Sequence, residues 1–229
     1  LLLFIADSGQ HFLAVSVYIS SGGKNNMSII TAEVLKDTIS FEGFKQLTQQ
    51  IISSEDRPEK YRDEKMLRYT VANLERINKC VANINIESKL YNALSTLNQK
   101  WVWLVLAEPW CGDVAQEIGA LYTIAGCSEN IDFRILQSDA NPHIVDAFAT
   151  NGSRSIPKLI CLNAHTLEVI GTWGPRPAEL QQMVMDFKAN PTGTFGDFVR
   201  KLHAWYEADN SRSMQLEFID LVKEWKDKV

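Results

Sequence analysis

Apolar residues along this chain follow two different periods, and the change between them falls near residue 100. Between Phe41 and Lys100 the spacing is helical: Phe41, Phe44, Leu47 and Ile51 recur every three to four residues. The same holds for Leu67, Val71, Leu74 and Ile77, and then for Ile86, Leu90, Ala93 and Leu97. Such spacing places each set on one face of a helix that must pack against another element. Polar residues 53–57 break the first helix from the second. Pro58 suits a first helical turn, where a missing N–H leaves nothing unpaired.

Residues 101–107, Trp-Val-Trp-Leu-Val-Leu-Ala, form an unbroken apolar run rich in β-formers. This predicts a strand buried on both faces. Residues 111–125 return to the helical period, with Val114, Ile118, Leu121 and Ala125 on one side. A second strand is expected at 131–136. A short helix follows from Asn141-Pro142 to about 148, because Asn caps well and Pro fits the first turn. Strands at 158–162 and 168–172 flank Asn163-Ala164-His165, a hairpin-like interval, and residues 177–187 read as a helix with Leu180, Met183, Val184 and Phe187 inward. The order β-α-β-α-β-β-α predicts an α/β protein with a mixed four-stranded sheet between helices. After residues 191–193, Phe195, Phe198, Leu202 and Trp205 mark one amphipathic helix, and Met214, Phe218, Leu221 and Trp225 another. Both are expected to pack on the same core.

Composition narrows the function classes. The 229 residues, 45% hydrophobic and 22% charged, suit one domain with helical additions. A net charge of -5 without any basic run argues against nucleic acid or an anionic membrane as partner. Cys80, Cys111, Cys127 and Cys161 lie too far apart for a secreted disulfide framework or a metal-ligand spacing, and the four histidines complete none. No metal and no cofactor is therefore expected. The apolar stretches in residues 1–26 fall short of the roughly 20 residues that a membrane helix needs, and no signal-peptide pattern is present. Met27 opens the first protein-like segment, and Gly22-Gly23 before it can be encoded by a ribosome-binding sequence. The native chain is expected to start at Met27 and to be cytoplasmic, with residues 1–26 a non-native or disordered leader.

The candidate chemistry lies in Trp110-Cys111-Gly112-Asp113-Val114. A dithiol oxidoreductase needs Cys-x-x-Cys at a helix start, where one thiolate attacks and the other, one turn on, releases the mixed disulfide. Cys111 stands at the attacking position and Val114 at the resolving one, so the dithiol mechanism is excluded. Unpaired N–H groups at a helix N-terminus favour a thiolate and can lower the Cys111 pKa by about a unit or more. Asp113 opposes this, or simply stabilises the helix start, and Lys158 can offset it or be a solvated strand lysine.

With Trp-Cys-Gly at the first strand-helix junction, the element order resembles the thioredoxin fold. A second segment, residues 151–160 with Arg154-Ser155-Ile156-Pro157-Lys158-Leu159, is similar to the thioredoxin stretch Gly-x-Arg-x-Ile-Pro-Thr-Leu. The resemblance covers about residues 84–190, between helical extensions at 27–83 and 191–229. The longer pattern, with Thr172-Trp173-Gly174-Pro175-Arg176-Pro177, looks like a bacterial branch of that family. It implies that Pro157 is cis and faces Cys111, that Ile156 offers backbone groups to an extended substrate, and that Trp110 and Gly112 line the same slot. Asp113, Arg154 and Lys158 are candidates for tuning the thiol. The buried acid that thioredoxins carry six residues before the attacking cysteine is replaced here by Val105.

Three functions follow: a monothiol oxidoreductase acting on protein or low-molecular-weight thiols and disulfides, a binding module for extended peptides, and a scaffold that retains Cys111 only for packing. The sequence leaves the oligomeric state open. Intact mass of the protein from its native host tests the expected start, and mass upstream of Met27 overturns it.

Overall fold

The computed structural model describes residues 29–228, so the expected leader and the start at Met27 lie outside the described residues. Strand β1 (Trp101–Ala107) is buried at every position. Its seven residues carry no polar side chain except two indole N–H groups, which suits only a strand with neighbours on both edges and cover on both faces. It pairs in parallel with β2 (Ile131–Gln137) and antiparallel with β3 (Lys158–Asn163). Strand β4 (Val169–Trp173) pairs antiparallel with β3, giving the order β2-β1-β3-β4. The alternation read from the sequence thus yields the mixed four-stranded sheet.

Helices fill the connections and the flanks. The N-terminal set is α1 (Ala32–Lys36), α2 (Phe41–Ser53), α3 (Glu64–Asn83) and α4 (Ser88–Ser95). Within the sheet region lie α5 (Gly112–Ala125), α6 (Pro142–Ala147) and α7 (Ala178–Ala189), followed by α8 (Phe195–Asp209) and α9 (Arg212–Lys226). Pro58 does not sit inside a helical turn as expected. It precedes a 3₁₀ turn at Glu59–Tyr61, and α3 starts later, where the Asp63 side chain accepts from the Met66 N–H. Competition from that carboxylate cap explains the shift.

One face of the sheet is sealed by α9. Alternate positions Trp101, Trp103 and Trp173 turn toward it, as the period of two requires. Phe218 stands 5.1 Å from Trp103 and 5.4 Å from Trp173, and the Trp225 indole meets Trp101 and Trp103 edge-on. Gly171 lets that indole reach the strand, because a Cβ there would lie 2.0 Å from Trp225 Nε1. Phe41, Phe44 and Ile77 from the N-terminal helices join Met214, Phe218, Val222 and Trp225 in the same core as β1. Helix α8 packs mainly on α7 through a smaller cluster of Leu180, Val184, Phe198 and Leu202.

Two substitutions test the α9 seal. Trp225→Ala should lower the unfolding free energy by about 3–5 kcal/mol. Gly171→Ala should lower it by about 1–3 kcal/mol through overpacking. Urea unfolding reads both, and an unchanged midpoint for either would remove α9 from the core.

Candidate thiol site

Strand β1 ends in the turn Glu108-Pro109-Trp110, which delivers Cys111 to the N-cap of α5. The turn is held from inside the protein. The Cys111 N–H donates to the Glu108 carbonyl at 3.1 Å, and Asn73 of α3 donates its side-chain N–H to the Pro109 carbonyl at 2.9 Å. Cys111 is 8% exposed, and its Sγ donates to the Ile156 carbonyl at 3.4 Å. The Ile156–Pro157 bond is cis, as is Gly174–Pro175. Gly174 lies at φ +107°, where a Cβ would be 2.5 Å from the Pro157 carbonyl oxygen. The position demands glycine on both counts.

The thiol is not activated at rest. Burial and the Asp113 carboxylate push its pKa up to about 12, against the Asp113 and Val114 amides and Arg176, which favour the thiolate. The expected lowering by the helix start is therefore reversed. Those amides do face the sulfur, but loss of water outweighs them. Asp113 is neither a solvated helix-start acid nor free to act alone. Arg176 donates to its Oδ2, and the Tyr206 hydroxyl of α8 donates to its Oδ1 at 3.1 Å. Arg176 also donates to Gln181 Oε1 at 2.9 Å.

Other expected tuning residues are turned elsewhere. Lys158 is buried, donates to Thr150 Oγ1 at 3.1 Å and has its pKa lowered by burial. Arg154 makes a two-bond pair with Asp146 at the surface. Gly112 opens the first turn of α5. Trp110 is half-buried. Its indole N–H donates to Asp139 at 3.1 Å, and Lys60 sits 4.2 Å above its ring while pairing with Asp139 at 2.5 Å. The N-terminal segment thus covers one side of the site and α8 another.

The remaining cysteines are free and distant in structural terms. Cys127 lies just beyond the far end of α5, where its thiol donates to the Thr123 carbonyl, roughly 24 Å from Cys111 at 1.5 Å per residue. Cys80 lies beside Ser211, and Cys161 is fully buried in β3. Among the described residues no group of three or more His, Cys, Asp or Glu is placed to hold a metal ion, and no helix is long and apolar enough to cross a membrane.

Sequence reasoning missed Arg176, Tyr206, Glu117 and Glu108 as parts of the site. Glu117 is 1% exposed with Oε1 unpartnered, and burial raises its pKa well above the ordinary value. A signal existed, since Asp113 and Glu117 stand four apart on a helix that is otherwise almost apolar. Glu108 closes an all-apolar strand and is 2% exposed. Its Oε1 accepts from the Asp139 N–H at 2.7 Å and the Ser138 hydroxyl at 3.3 Å.

A cysteine at the first strand-helix junction, facing the residue before a proline at the start of β3, on a mixed sheet with added terminal helices, defines a thioredoxin-like α/β protein. A family model described as thioredoxin matches residues 60–188. The chain belongs to the thioredoxin family. Its fold is similar to the crystal structure of a protein of unknown function from Pseudomonas aeruginosa, at 18% identity and a TM-score of 0.55, covering 84% of this chain and 96% of that one. It is similar also to the crystal structure of an HIV epitope scaffold, at 18% identity and a TM-score of 0.53 with the same coverage. At this identity the likeness concerns the fold alone. No curated protein matches the chain.

Glu108 carries a pH signature. Burial raises its pKa from the ordinary 4.5 to about 7. Between those values the folded protein holds a proton that the unfolded chain releases. Its contribution to stability is therefore full below about 4.5 and is lost as pH rises through 7. The unfolding free energy of the wild type relative to Glu108→Gln should fall by about 2 kcal/mol between pH 5 and 8. A constant difference would mean that Glu108 is ionised throughout.

Proposed function

We propose that the protein performs monothiol thiol–disulfide exchange through Cys111, from a resting state in which the thiol is protonated and covered. The observation that carries this reading is the position of Sγ, at the N-cap of α5 against the Ile156 carbonyl and beside Pro157. Cys111, once deprotonated, attacks a disulfide R–S–S–R′, forms a Cys111–S–S–R bond and expels R′S⁻. An external thiol then attacks the mixed disulfide, leaves with R as a new disulfide and returns the Cys111 thiolate, which regains its proton. No second sulfur of this chain takes part, because Val114 stands one turn on and Cys127 is out of disulfide reach. Trp110, Gly112, Ile156 and Pro157 are the proposed contacts for the incoming partner, a protein or low-molecular-weight thiol or disulfide. Four free cysteines support a reducing compartment such as the cytoplasm.

Magnitudes limit the resting rate. Raising a thiol pKa from about 8.5 to about 12 cuts the thiolate population at pH 7 by about 10³-fold or more. Higher intrinsic nucleophilicity restores about 30-fold, leaving exchange about 10²-fold slower than for an unperturbed thiol. A second reading, a binding module that holds extended segments at Pro157 without chemistry, is favoured by that burial.

Oxidised glutathione separates the two. The exchange reading expects a glutathionyl adduct on Cys111, found by peptide mass mapping, that forms about tenfold faster per pH unit from 7 to 9 and is absent in Cys111→Ser. If folded protein gives no adduct at pH 9 while urea-unfolded protein does, exchange is excluded. Retention of the same partners by Cys111→Ser would then favour binding.

A further inference from the structure

Two charges lie buried beside the thiol, and neither takes part in the exchange steps. The side chains of Asp113 and Arg176 are only 9% and 11% exposed. A buried pair of this kind seldom adds stability over apolar residues of similar size, so its presence at the first turn of α5 calls for another account. Both oxygens of Asp113 are committed. One Asp113 oxygen accepts from Arg176, the other from Tyr206 of α8, and Arg176 is steadied by Gln181 of α7. Its Nε is buried without a partner, so the guanidinium is held through its terminal nitrogens.

The other cations expected near Cys111 are engaged away from it, Lys158 by Thr150 and Arg154 by Asp146. The charges that act on the sulfur are Asp113 from α5 and Arg176 from the segment between β4 and α7. Glu117 of α5 and Tyr206 and His203 of α8 face the pair itself. Arg176 follows directly on Gly174 and Pro175, and Gly174 abuts the Pro157 carbonyl. The same loop therefore touches the proline wall of the slot and supplies the cation.

We propose that Asp113 and Arg176 are a tuning pair for Cys111, with Asp113 a residue that adds to burial in disfavouring the thiolate, Arg176 its counterweight, and Tyr206 the anchor that ties Asp113 to the C-terminal helix α8. This rests on the exchange reading above, whose site it regulates. Neutralising Asp113 leaves Arg176 unopposed and raises the thiolate fraction, although burial still favours the thiol. Neutralising both removes the attraction as well as the repulsion.

The test is the pH profile of iodoacetamide alkylation at Cys111 in the full chain, followed by peptide mass mapping, with thermal unfolding run beside it. Asp113→Asn should move the profile down by about one pH unit or more, which is about a tenfold faster reaction at pH 7. The double variant D113N/R176Q should fall between Asp113→Asn and the wild type. A loosened structure would instead make the double variant at least as reactive as the single one. The proposal is overturned if Asp113→Asn reacts no faster than wild type, or if the double variant matches or exceeds it. Should Asp113→Asn not fold, the double variant alone must still exceed wild type, and failure to do so overturns the proposal. Glutathionylation of the wild type reads the exchange function separately. Ordered alkylation without any adduct removes that function and leaves the tuning pair standing, and an adduct without the ordering does the reverse.

Discussion

A seven-residue strand with almost no polar side chain has to be covered on both faces, and β1 sets that demand for the whole molecule. Strands β2 and β3 satisfy its backbone on either edge, but they cannot cover its faces. The large aromatic residues on one face need a wide, flat partner, which α9 supplies with Phe218 and Trp225. Helix α9 and the N-terminal helices are therefore continuous with the main core, whereas α8 joins α7 in a cluster of its own. Removing solvent from β1 also removes it from the turn at its end, and the burial of Cys111 follows from the same packing.

That burial decides the competition at the start of α5. A helix N-terminus in water favours negative charge, and a thiolate there gains from it. Once water is excluded, ionising the sulfur loses more than two amides return, and Asp113 adds repulsion. Three acids beside this turn meet low dielectric differently. Asp113 has a guanidinium and a hydroxyl, Glu108 has two neutral donors, and Glu117 keeps an unpartnered oxygen. For Glu108 and Glu117 burial is the leading influence, and it raises the pKa of both.

Local periodicity carried the sheet and its helices, because runs such as residues 101–107 have only one arrangement that removes them from water. The helix start expected at Pro58 moved by several residues, since the cap at Asp63 depends on a single side chain. The thiol site was half legible. Cys111, Val114 and the Ile156-Pro157 pair stand in recognisable local patterns. Arg176 and Tyr206 do not, because they reach Asp113 from positions 63 and 93 residues away. Nothing in a local pattern distinguishes such an arginine from one that merely opens a helix. Lys158 shows the converse, since a lysine in a strand reads as solvated until its neighbours are known to bury it.

Helix α9 comes last in the described chain, yet it lies over the earliest-made strand of the sheet. During synthesis the strands can pair long before it leaves the ribosome. Until then Trp101, Trp103 and Trp173 face solvent on a bare sheet surface, with Gly171 an open notch among them. The nascent protein therefore passes through an interval in which the strands are made while a broad aromatic surface still waits for α9 to cover it.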